Sequence, residues 1–248
     1  MATNYTFSSY TDNSILFRIL KTRASNIQLV SVYKDGSCQT VKASGYYGMN
    51  ASFFNSGSNK AIQNVAVQNG KTVGTGQLVP TIDNNGWTMD GGVNLIGSSA
   101  ITWNGSALNW LTGIHYSTDS GIPMASNTWA QGGIGLYLCD QDWKNKYLDE
   151  FSAEAYPPAT EADARTGILI NKSTKYVYLF ATSYAITVSV LRTAMMNYAG
   201  LTEGGSAGSW AAILTDGGRS TQLYCGEGSM IATFARAVPQ IIALRNET

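Results

Sequence analysis

From Thr166 to Ser183 the chain reads "TGILINKSTKYVYLFATS", two apolar runs separated by the polar segment Asn171 to Thr174. Aliphatic and aromatic residues on both sides of a short polar connection predict an antiparallel hairpin. Immediately downstream, "TVSVLRTAMMNYAGL" places Val188, Leu191, Ala194, Met195 and Tyr198 at three- and four-residue spacings. Gly200 follows where a left-handed cap belongs, so this stretch predicts a helix. Two further strands, "WAAILT" and "PQIIALRN", complete the C-terminal half.

The N-terminal half reads as sheet. "SILFRILK" (Ser14 to Lys21), "NIQLVSVYK" (Asn26 to Lys34), "AIQNVAVQNGKTV" (Ala61 to Val73) and "VNLIGSSAITWNG" (Val93 to Gly105) are apolar runs or alternate with period two. Asn69–Gly70 and Asn104–Gly105 supply hairpin turns. Between Asp140 and Arg165 the pattern breaks into acids and the Pro157–Pro158 pair, which predicts a long loop with at most a short helical turn. No repeat or linker interrupts the chain. The expectation is one α+β domain over 1–248, with mixed or antiparallel sheets, one long helix and few short ones.

With 248 residues, a core can form without metal or disulfide staples. Sixteen basic residues balance sixteen acidic ones, so no broad field favours nucleic acid or an anionic membrane, and any anion must be bound locally. Charged residues are 13% of the chain, and polarity comes instead from Gly, Ser, Thr, Asn and Tyr, a mixture suited to a turn-rich β surface. Cys38, Cys139 and Cys225 are scattered and odd in number, as buried or free thiols are. No apolar run reaches the length of a membrane span, and the N-terminus has no basic start or apolar core, so a cytoplasmic or phage-derived setting is expected.

Three segments could carry chemistry. In "GYYGMNASFFNSG", Asn50 stands at a strand end, where a side-chain amide offers a donor and an acceptor to a sugar hydroxyl. Arg165 and Thr166 precede the hairpin; an arginine there is either a surface residue or a bidentate fork for phosphate. In "WAAILTDGGRSTQL", Asp216 ends an apolar strand, Gly217 and Gly218 permit a tight turn or a close approach, and Ser220 adds a hydroxyl. His115 is the single histidine, which excludes mechanisms that need two.

Taken in order, "MNASFFN", "ARTGILI", "TDGGRSTQL" and "RAVPQII" resemble the phosphodiester glycosidase family, with the best match over 131–248. The chain departs from the family pattern at Ala51 and Arg219, where glycines are expected, and at Thr215, where leucine is. The resemblance implies a glycosidase that cleaves the bond between a sugar's anomeric carbon and a phosphodiester oxygen, acting on a glycosyl-1-phosphodiester or nucleotide-sugar-like substrate, as a small or polymeric phosphosugar. It implies Asn50, Arg165, Thr166, Gly217, Gly218, Arg219, Ser220 and Arg236 as the binding set. Asp216 and Glu227 are the candidate catalytic carboxylates, with Glu203, Asp90 and Glu154 as other acids near these features. No cofactor and no clustered metal ligands are expected; a divalent cation held by Asp216 and backbone oxygens stays open. Two other readings are a phosphosugar-binding module without turnover, and a virion or surface protein that retains the fold.

Overall fold

The computed structural model describes residues 4–57, 60–76, 90–92, 98–150 and 160–245. The strands begin with β1 (Tyr5–Asp12), β2 (Ile15–Arg23), β3 (Ile27–Ser31), β4 (Gly48–Asn50), β5 (Ala66–Gln68) and β6 (Lys71–Thr72). They continue with β7 (Ser99–Trp103), β8 (Leu108–Leu111) and β9 (Trp129–Gly135), after which α1 (Trp143–Glu150) intervenes. Then come β10 (Asp163–Asn171), β11 (Tyr176–Ile186), α2 (Val188–Ala199), β12 (Trp210–Thr215), β13 (Gln222–Cys225), β14 (Gly228–Ile231) and β15 (Gln240–Leu244). Pro157, Pro158 and Glu154 in the expected long loop lie outside the described residues, as does the Val93–Gly97 part of the fourth predicted strand.

The strands form two sheets. The larger runs β1-β2-β11-β10-β12-β9-β5-β6, with β7 also on β9 and β8 on β7. The smaller runs β14-β13-β4-β15-β3. The predicted hairpin is β10–β11, with Gly167 opposite Phe180 and Ile170 opposite Val177.

The expectation of an α+β domain is corrected. Strand accounts for 43% and helix for 12%, and the strand pairings among the described residues are antiparallel, so the protein is β-rich. Burial on the two faces of the central strands explains the difference. Ile168, Ile170, Val177, Leu179, Ala211 and Ile213 point into a core shared with Ile27, Met49, Leu223 and Ile241 of the smaller sheet. Their neighbours Leu169, Phe180, Ala212 and Leu214 point the other way and pack under Leu191, Ala194 and Met195 of α2. Strands buried on both faces read as continuous apolar runs. One face is covered by a second sheet and only the other by helix.

Local chemistry fixes the one long helix. The Thr187 side chain accepts from the Val190 N–H at its start, and Gly200 ends it with φ 70°. It lies close on the sheet over Gly167, where a Cβ would stand 2.7 Å from Met195 Cε. No helix among the described residues is long and apolar enough to cross a membrane.

Candidate active site

Thr166 of β10 stands directly opposite Thr215, the last residue of β12, and begins the pairing of these two strands, so Asp216 leaves the larger sheet where that pairing ends. Its backbone N–H donates to the Ala51 carbonyl just beyond β4 (3.0 Å), tying the ends of the two sheets together. Asn50 completes the tie. Its Nδ2 donates to the Asp216 carbonyl (2.6 Å), and its Oδ1 accepts from the Gln222 N–H (2.9 Å). The Thr166 hydroxyl donates to the same Asp216 carbonyl (2.5 Å) and meets the Thr215 hydroxyl at 2.8 Å. Asn50 and Thr166 are both buried, and their polar atoms are used within the protein. They set where Asp216 points. The Asn50 amide, expected to meet a sugar hydroxyl, makes these bonds to the backbone and is not among the residues that line the cleft.

The two glycines after Asp216 are required by space and by backbone shape. A Cβ on Gly217 would stand 2.7 Å from the Ala164 carbonyl oxygen. Gly218 has φ +57°, and a Cβ there would lie 2.6 Å from Asp163 Oδ2. This turn lets the loop fold over β10 and brings Asp216 beside Arg165.

A cleft of about 180 Å³ results. Phe53, Ile134, Tyr147 and Leu214 form its apolar lining; Asp163, Arg165, Asp216, Arg219 and Arg236 supply its charges. Asp216 is 2% exposed. Arg236 Nη2 reaches its carboxylate at 3.3 Å, Arg236 Nε donates to Ser220 Oγ (2.7 Å), and the Ser220 hydroxyl bonds the same carboxylate. Burial dominates and pushes the Asp216 pKa from 3.8 up to about 6, while Arg236, Ser220 and the Gly217 N–H act against it. The Arg236 guanidinium is also held 4.5 Å from the Phe54 ring centroid.

Arg165 is 6% exposed. Its Nε donates to the Ile186 carbonyl (3.2 Å) and its Nη2 to the Glu161 carbonyl (2.6 Å), which leaves Nη1 at the cleft. Burial lowers its pKa, against the fields of Tyr147, Asp163, Glu161 and Asp216. Among the described residues no carboxylate lies within ion-pair distance of it. A buried guanidinium bonded only to carbonyls calls for an anion.

The remaining acids are placed as follows. Glu227 does not line this cleft. It sits at the β13–β14 turn, where its carboxylate accepts from the Tyr5 hydroxyl (2.6 Å). Glu203 pairs with Arg192, and Asp90 accepts from the Thr75 and Gly76 N–H groups. Glu154 lies outside the described residues. Exposed His115 is in the loop closed by Asp119. The second carboxylate of the cleft is Asp163, which reading the sequence missed. Its signal was the two-residue spacing to Arg165, which puts alternate side chains of one strand on one face. No group of three metal-ligating side chains occurs among the described residues.

No protein-family model and no curated protein matches the chain. Solved structures do. The chain is similar to the zebrafish N-acetylglucosamine-1-phosphodiester alpha-N-acetylglucosaminidase catalytic domain, auto-inhibited by its pro-peptide. The TM-score is 0.60 at 13% identity, over 98% of this chain and 83% of that one. It is also similar to a hypothetical protein from Synechocystis, with a TM-score of 0.51 at 12% identity over 96% of this chain and 61% of that one. At such identities the likeness is one of fold.

Proposed function

We propose that the protein is a glycosidase that hydrolyses the bond between a sugar's anomeric carbon and the oxygen of a phosphodiester. One observation carries the reading: Arg165 is a buried guanidinium with no carboxylate partner among the described residues, and it shares a cleft with Asp216 and Arg236. These three residues come from distant parts of the chain, and the fold alone is similar to that of a phosphodiester-cleaving enzyme domain.

The chemistry follows from charge. Water adds its oxygen to the anomeric carbon, the bond from that carbon to the phosphate oxygen breaks, and the electron pair leaves with the phosphate. The phosphate passes from one negative charge towards two, and Arg165 and Arg236 stand ready to meet that growth with preorganised donors. The departing phosphate is a weak base and needs little protonation. Ionised Asp216 offsets the positive charge that develops on the sugar, and Asp163 takes the proton from water. Phe53, Tyr147 and Leu214 exclude solvent around the reacting bond.

The test is release of reducing sugar from a panel of sugar-1-phosphodiesters. Asp216→Asn is expected to lower kcat by about 10³-fold and Arg165→Ala to lower kcat/KM by about 10²-fold. Wild-type protein that binds a phosphosugar in calorimetry and returns it intact is a binding module, and the enzymatic reading then fails.

A further inference from the structure

Arg219 and Arg236 line a second groove as well as the Asp216 cleft. This groove is about 550 Å³, with Cys38, Phe54, Ser56 and Lys60 among its other walls. Its three cations come from separate loops: Lys60 before β5, Arg219 after Asp216, and Arg236 before β15. Among the described residues, no aspartate or glutamate lines it, and none lies within ion-pair distance of Lys60 or Arg219.

Lys60 and Arg219 are each aimed by a backbone carbonyl. Lys60 Nζ donates to the Ser56 carbonyl (2.6 Å), and Arg219 Nε donates to the Phe234 carbonyl (3.1 Å). The Arg236 N–H donates to the Arg219 carbonyl (2.7 Å), which holds the two arginine-bearing loops in fixed relation. Convergence on the groove is visible at Cys38. Burial raises its thiol pKa, and the fields of both Lys60 and Arg236 oppose that rise.

We propose that this groove is a second anion subsite that takes a further phosphate on the leaving group. The inference rests on the reading of the Asp216 cleft as the place of bond cleavage. With the first phosphate between Arg165 and Arg236, the leaving group extends past Arg236 and Arg219, the two residues common to both hollows. A neutral leaving group leaves Lys60 and Arg219 without a counter-charge. A phosphate gives each guanidinium and ammonium an acceptor of matching sign and geometry. It can be bonded directly to the first phosphate, as in a sugar nucleoside diphosphate, or lie one glycerol unit further on, as in a phosphodiester polymer.

The experiment measures kcat/KM on three substrates sharing one sugar: a methyl phosphodiester, a nucleoside diphosphate, and a glycerol phosphodiester carrying a terminal phosphate. Wild type should favour one of the two-phosphate substrates by about tenfold or more, and Lys60→Ala and Arg219→Gln should each remove most of that preference. Which of the two is favoured identifies the source of the second phosphate. Equal kcat/KM on all three, or a preference that Lys60→Ala leaves intact, overturns the subsite. No turnover of any substrate overturns the reading of the cleft instead, and the subsite is then judged by binding. Pyrophosphate should slow alkylation of Cys38 by iodoacetamide by about fivefold or more in wild type and not in Lys60→Ala, on the same basis of charge-assisted contact. Equal alkylation rates with and without pyrophosphate overturn the subsite on their own.

Discussion

Asp216 lies in a place that opposes ionisation. Its pKa is about 6 in the folded chain against 3.8 for a free side chain, because burial outweighs Arg236, Ser220 and the Gly217 N–H. A carboxyl whose folded pKa exceeds its unfolded value contributes stability that is fully present below the unfolded pKa and is lost as pH rises through the folded one. Between about pH 4 and pH 7.5 that loss is on the order of 2–3 kcal/mol. The Asp216→Asn variant carries an amide there, with no proton to lose. In urea titrations the variant should therefore gain that much on wild type between the two pH values, and a gap that stays constant defeats the argument. Under the proposed hydrolysis, in which the ionised carboxylate acts, activity should run the other way: kcat/KM of wild type rises with pH through about 6 and then levels. A profile that falls above about pH 6 instead makes Asp216 a proton donor. The position of Asp216 at a strand end was legible in "WAAILTDGG", since an apolar run followed by Asp-Gly-Gly has few other readings. The duty of Asn50 was not. Whether a buried amide faces a ligand or a carbonyl depends on Asp216, distant in the chain, and no local pattern encodes that partner.

Among the elements, β10, β11 and α2 were legible because periodicity, turn residues and caps agree along one stretch. β9 was not. "WAQGGIG" contains three glycines and reads as loop by propensity, yet it pairs with β5, β7 and β12. Two of its glycines are there for space: a Cβ on Gly133 would stand 2.4 Å from the Leu214 carbonyl oxygen, and one on Gly135 would meet Ser99 Oγ at 2.7 Å. Helix α1, eight residues within the stretch expected to be a long loop with a short helical turn, is fastened to this strand by Glu150. That buried carboxylate accepts from the Ser99 hydroxyl (2.6 Å), the Gly135 N–H (2.6 Å) and the Tyr137 hydroxyl. Glu150→Gln puts an amide N–H₂ among three donors. The expected cost is about 1–3 kcal/mol, seen as a lower unfolding midpoint. Because α1 also carries Tyr147 into the cleft wall, KM should rise in the same variant. Lower stability with unchanged KM would separate the helix from the site.

For the whole molecule, the order of the strands argues for a single cooperative unit. The chain begins in the larger sheet with β1 and β2, crosses to the smaller for β3 and β4, returns for β5 to β12, and crosses again for β13 to β15. Neither sheet is a continuous segment, so neither can fold without the residues that build the other. The core between them is shared: Ile241 of β15 is fully buried, lies opposite Asn50 of β4 and Val30 of β3, and belongs to the same cluster as Ile168 and Leu179 of the larger sheet. The Asp216 site spans the two, through the Asp216 N–H on Ala51 and the Asn50 amide on Asp216. Thermal unfolding should then give one calorimetric transition whose enthalpy equals the van't Hoff value. Ile241→Ala, a cavity in the smaller sheet's half of that core, should cost about 2–5 kcal/mol and lower the midpoint by the same amount whether it is followed by backbone or by aromatic circular dichroism. Trp210 and Tyr178 of the larger sheet report in the aromatic band although they are remote in sequence from the substitution, which is why coincidence of the two curves is informative. Two resolved transitions, with only one of them moved by Ile241→Ala, would mean that the sheets unfold separately and that the site joins two units instead of lying within one.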